Sequence, residues 1–113
     1  MAQLTPKVLY RGQPSTVAAS LYAVANTSGY YSIIKNIIIC NTTGTDATID
    51  IYSVASGGTA AASNQIFSDL NVKSNETISI DSSLVLAQDE SLQGAQVTSN
   101  AITMVVSGVE HTT

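Results

Sequence analysis

Apolar residues come along this chain in short bursts, broken by Asn, Gly, Ser, Thr and Asp. That spacing predicts many short β-strands and argues against helices, because no long stretch keeps a helical period between caps. Eight strands are expected, near residues 7–11, 21–25, 31–41, 47–54, 65–70, 77–80, 92–98 and 102–109. Residues 84–86 either continue the sixth strand after a kink or start a short one, and residues 65–70 form an edge strand or one helical turn. The strongest strand is YSIIKNIIICN. A regular alternation places Ile33, Lys35, Ile37 and Ile39 on one face and Ile34, Asn36, Ile38 and Cys40 on the other. Both sets are largely apolar, so this strand is expected to be central with burial on each side.

The stretch KNIIICNTTGTDATIDIYSV, residues 35–54, reads as a β-hairpin about NTTGTD. In its second arm Ala47, Ile49 and Ile51 share the buried face, and Thr48, Asp50 and Tyr52 face outward. Ile78 and Ile80 are expected inward, as are Ile102, Met104 and Val106. Eight short strands with closely spaced turns predict an all-β fold. It is read as a single antiparallel β-sandwich, jelly-roll or immunoglobulin-like. Residues 1–14, interrupted by Pro14, read as an N-terminal arm with a possible edge strand, and residues 15–113 as the sandwich domain.

Composition narrows the chemistry. Of 113 residues, 44% are hydrophobic and only 11% charged, so Ser, Thr and Asn carry most of the polarity. The formal net charge is −4, and the four cations Lys7, Arg11, Lys35 and Lys73 are scattered. Nucleic-acid binding needs a basic patch, so none is expected. A single cysteine excludes an intrachain disulfide, and Cys40, beside three isoleucines, is expected to pack in the core. No apolar leader is visible at the N-terminus and the run IIIC is far too short to span a bilayer, so no membrane partner is expected.

No catalytic, cofactor or metal site is expected. His111, the only histidine, lies near a terminus expected to be disordered, which leaves Cys40 or a serine without a positioned base. Asp46, Asp50, Asp89 and Glu90 read as solvated turn acids. The loop SGGTAAASN, residues 56–64, lacks the Lys-Ser/Thr ending of a phosphate loop. Three N-x-Ser/Thr triplets, at Asn26, Asn41 and Asn75, stand against roughly two expected by chance from this composition and carry no signal.

The segments LYAVANTSGYYSIIKNIIICNTTGTDATIDIYSV, NETISIDSSLVL and AITMVVSGVE, which together span most of the chain, resemble a family of small tailed-bacteriophage virion proteins. The shared motifs are strand and turn signatures with no catalytic residue. The resemblance implies a non-enzymatic virion structural protein made in the host cytoplasm. Its expected role is decorating or cementing the outside of the head by contact with the major capsid protein or other virion proteins. It also implies a homo-oligomer, expected as a trimer from the class. The alternative it leaves open is a tail, collar or fibre component, or a host-surface binding module. Candidate contact residues are Leu4, Val8, Tyr10 and Arg11 of the arm, and Tyr30, Tyr31 and Tyr52, since tyrosine combines apolar area with a polar tip.

Overall fold

A computed structural model describes residues 3–112. The strands are β1 (Gln3–Gly12), β2 (Ala19–Ala23), β3 (Tyr31–Asn41), β4 (Ala47–Val54), β5 (Gln65–Val72), β6 (Thr77–Leu86), β7 (Ser91–Gln96) and β8 (Ile102–Thr112). A short 3-10 turn, Ala62–Asn64, precedes β5. They form two four-stranded antiparallel sheets, ordered β1-β8-β3-β6 and β2-β7-β4-β5. Every connection except β4 to β5 crosses between the sheets. This is the double Greek key of a jelly roll and not the immunoglobulin arrangement, so the structure selects one of the two sandwiches expected. The expected strands are all present, and residues 77–86 form a single strand. Segment 65–72 is an edge strand, as read.

The 35–54 stretch is not a hairpin. β3 and β4 lie in different sheets, and the NTTGTD turn carries the chain across the sandwich. Asn41, fully buried, holds that crossing. Its amide nitrogen donates to Thr45 O (2.8 Å) and Val72 O (2.9 Å), and its Oδ1 accepts from Thr43 N (2.9 Å) and Thr43 Oγ1 (2.8 Å). With its side chain enclosed, Asn41 is no glycosylation acceptor in the folded chain.

The alternation expected in β3 also fails, at one residue. Against β8, Ile34 pairs with Gly108 and Asn36 with Ser107, so Lys35 is an extra residue, a β-bulge. The bulge exchanges the two faces. Ser32 and Ile34 point inward before it, and Ile37, Ile39 and Asn41 after it. Ile38 is therefore exposed and Cys40 only partly buried, not a core residue. β3 is central within its sheet, but only one of its faces is covered.

The core between the sheets is built from β-branched and other aliphatic residues: Ile34, Ile37 and Ile39 meet Ile49, Ile51 and Leu92, with Ile102, Met104 and Val106 beside them. Each such burial contributes roughly 1.5–3 kcal/mol. The exposed Lys7–Glu110 pair, at 3.2 Å, is a surface bridge of a kind worth about 0–1 kcal/mol. Packing between the sheets therefore dominates stability. Gln96 is the second enclosed amide, donating to Pro14 O and accepting from Ile102 N at 2.7 Å. No buried side-chain polar atom among the described residues lacks a partner.

From Gln3 onward the expected N-terminal arm belongs to the sandwich. β1 pairs along β8 from Gln3↔Thr112 to Gly12↔Met104, and Leu9, at a bulge between Val8 and Tyr10, inserts into the core. Met1 and Ala2 lie outside the described residues.

Candidate interaction face

Jelly-roll sheets have two faces, and only the inner ones are needed for the core. Register shows what the outer face of β1-β8-β3-β6 carries. Leu4, His111 and Tyr31 form one row; Pro6, Val109, Ile33 and Val85 the next. Val8, Ser107, Asn36 and Asp81 follow, then Arg11, Val105, Ile38 and Ser79. The face is apolar over much of its area. Leu4 is 58% exposed, Val85 56%, Val8 44% and Ile38 39%. The few charged groups on or beside it are Lys7, Arg11, the bulged Lys35, and Asp81, whose carboxylate accepts from Asn36 Nδ2 at 2.9 Å. A shallow open depression of about 550 Å³ lies on it, lined by Pro6, Lys7, Val8, Lys35, Ser107, Gly108 and Val109. Large exposed apolar patches on proteins are characteristic of contact sites.

Of the seven candidate contact residues, Leu4, Val8, Arg11 and Tyr31 share this face. Tyr31 stacks on His111 with ring centroids 4.5 Å apart and planes 9° from parallel. His111 also hydrogen-bonds Gly29 O at 3.1 Å, so it is a fixed member of β8 and not part of a disordered tail. Tyr10 and Tyr30 turn inward and pack against the core. Tyr52 lies on the outer face of the other sheet with Asp50, as read from the alternation of β4. Ile33, Ile38, Val85, Val105 and Val109 were not expected here. The exchange of faces at Lys35 exposes Ile38, and pairing with β8 and β6 brings the other residues beside it.

The acids are engaged in holding turns and edges. Asp50 accepts from Gln65 Nε2 (2.8 Å) and Asp69 N (2.7 Å), and Asp46 from Ser74 N (3.1 Å). Asp89 accepts from Ser56 Oγ (2.7 Å), and Glu90 from Ala87 N (2.9 Å). Among the described residues no three of His, Cys, Asp and Glu gather as metal donors. Cys40 and His111 sit toward opposite ends of β3, since His111 pairs with Tyr31 while Cys40 pairs with Thr103. No helix among the described residues is long and apolar enough to cross a membrane.

One polar cluster joins the two sheets. Tyr22, on β2, donates to Glu110 Oε2 on β8 at 2.6 Å and meets Ser32 Oγ on β3 at 2.6 Å. Lys7 Nζ on β1 donates to Glu110 Oε1 at 3.2 Å. Burial, reinforced by the Glu110 carboxylate, pushes the Tyr22 phenol up to about 12. The hydrogen bond from Tyr22, with help from Lys7 and against partial burial, holds Glu110 below the usual carboxylate value. Both oxygens of Glu110 are occupied by these donors, so the cluster acts as a clamp between sheets and offers no free base.

No known protein family matches the chain, and no curated protein resembles it in sequence. Solved structures share its fold. A protein of infectious bursal disease virus, Gx strain, matches with a TM-score of 0.51 at 13% identity, over 97% of this chain and 31% of that one. The T13 particle of infectious bursal disease virus gives 0.52 at 11% identity, over 97% and 30%. A protein of Bacillus endospore appendages, described as disulfide-linked pili, gives 0.50 at 14% identity, over 98% and 88%. At these identities the likeness establishes the fold alone. The chain spans less than a third of the viral chains it matches and most of the pilus chain. A β-fold found in virus particles is therefore shared with these structures; none of them is described as a tailed-phage protein.

Proposed function

We propose that the chain is a non-enzymatic structural protein of a virus particle, docking on its neighbours through the outer face of the β1-β8-β3-β6 sheet. The observation that carries this reading is the apolar outer face itself, with Leu4, Val8, Ile38 and Val85 all substantially exposed. Two further observations support it. The polar clusters are saturated internally, and a portion of each matched viral chain, 31% and 30% of its length, resembles this fold. The finer role, suggested by the tailed-phage resemblance, is decoration of the head exterior over the major capsid protein. Binding only the assembled lattice would stabilise it by mass action.

Particles purified from the source culture, labelled with an antibody against the chain, test location. Many copies spread over the head are expected; absence from particles would overturn the reading. The double variant Val8→Glu, Val85→Glu places two carboxylates on the exposed face without touching the core. It is expected to lower particle occupancy at least ten-fold while leaving the melting temperature nearly unchanged. Full occupancy would remove this face from the account.

A second reading, a tail, collar or fibre component, draws support from the likeness to a pilus protein, of which the match covers 88%. Labelling confined to one vertex or to the tail would favour it.

A further inference from the structure

A sheet edge leaves backbone N–H and C=O groups unpaired, and natural proteins usually blunt such edges. Among the described residues, three of the four edges here are blunted. β1 carries Pro6, Lys7 and the bulge at Leu9. β2 has five residues and a register break between Ser20 and Tyr22. β5 breaks register twice against β4, and Asp69, at φ 51°, turns its N–H onto the Asp50 carboxylate. β6 differs from all of these. It runs ten residues, TISIDSSLVL, with no Pro, Gly or Lys. Its one irregularity lies at Ser82 and Ser83, opposite Lys35, so Thr77–Asp81 pair regularly with β3. A regularly paired, nearly uncharged edge segment rich in β-branched residues is a template for another strand.

We propose that β6 pairs antiparallel with β6 of a second copy, across a two-fold axis at Ser79. The side chains set this register. An axis at Asp81 would place two carboxylates opposite each other, which is destabilising. An axis at Ile80 would draw the bulged Ser82 into the pairing, and one at Ile78 would draw in Asn75, a turn residue at φ 57°. With the axis at Ser79, Asp81 faces Thr77 of the second copy, whose hydroxyl can donate to the carboxylate. On the inner side Ile78 faces Ile80 of the second copy. Both isoleucines are only partly buried at the rim of the core, and pairing covers them. This self-matching of charge and apolar positions selects a second copy as the occupant. The two sheets become one of eight strands, and their apolar outer faces lie side by side.

The pairing does not depend on the particle reading, and its test needs only the purified chain. Sedimentation equilibrium over a dilution series is expected to show twice the chain mass of 11.7 kDa. Ser79→Lys sets two ammonium groups against each other at the axis, on an exposed position. It is expected to weaken dimerisation at least ten-fold with an unchanged circular dichroism spectrum. Ser83→Lys, exposed on the same strand beyond the paired segment, is expected to leave the dimer intact. Amide exchange in residues 77–81 of the unaltered chain is expected to slow as concentration rises. A wild-type chain that stays monomeric, one that sediments as a trimer, a Ser79→Lys chain that still dimerises, or concentration-independent exchange would each overturn the pairing.

Discussion

Gly108 pairs with Ile34, next to the bulge in β3. A Cβ built there would lie 2.2 Å from Ile33 O and 3.1 Å from Ile34 Cα, both backbone atoms that cannot rotate away. Gly108→Ala must therefore move one strand, and it is expected to cost about 3 kcal/mol or more, read from the urea midpoint. The Tyr22–Glu110 clamp makes stability depend on pH at both ends. The folded state holds the Glu110 pKa below its ordinary 4.5, so its stabilisation is present above that value and fades as pH falls through the lower folded value. Tyr22 moves the other way. Its pKa rises from 10.0 to about 12, so its contribution is intact below 10 and lost as pH climbs through that interval. Tyr22→Phe is expected to flatten both limbs of a plot of melting temperature against pH. At this scale the sequence spoke poorly. Asn41 and Gln96, the two enclosed amides, look like ordinary turn and strand residues, because one partner of each, Val72 O for Asn41 and Pro14 O for Gln96, comes from far along the chain. Asn41 did carry one signal, an Asn at the end of an isoleucine run and the start of NTTGTD, where an Asx side chain commonly organises the turn.

At the scale of elements, strand positions were legible and strand partners were not. Turn residues mark where a strand ends, but the same turn chemistry serves a hairpin and a crossing between sheets, which is why 35–54 reads as the former and folds as the latter. The bulge at Lys35 was hidden for a different reason. IIKNIII is apolar in either phase, so no exposed polar residue reports the change of face. The interaction face depends on that one residue. Deleting Lys35 would restore simple alternation and turn either Ile34 or Ile37 out of the core. Such a chain is expected to lose its cooperative melting transition, whereas Lys35→Ala, which keeps the residue count, is expected to melt within a few degrees of the wild type. Calorimetry on the two separates the role of the inserted backbone from that of the ammonium group. Where alternation was unambiguous, as for Ala47, Ile49 and Ile51 or for Ile102, Met104 and Val106, the reading and the structure agree.

Taken whole, the molecule is a slab with principal extents of 48 × 26 × 18 Å, apolar through its middle and apolar again on one outer surface. The first apolar layer was readable from periodicity. The second was only partly so, because Leu4, Val8, Arg11 and Tyr31 come together through pairing of the first and last strands with the third. Charges introduced on that second layer are expected to change association and leave folding alone, the opposite of what Gly108→Ala does.

The zipper between β1 and β8 has a geometric corollary. Because Gln3 lies across from Thr112, the polypeptide enters and leaves the slab at a single corner. Cargo joined at either extremity would project from that same spot. A short bridge could also close the chain into a ring, letting it be cut open elsewhere, for instance between Gly57 and Gly58, with all eight strands in place.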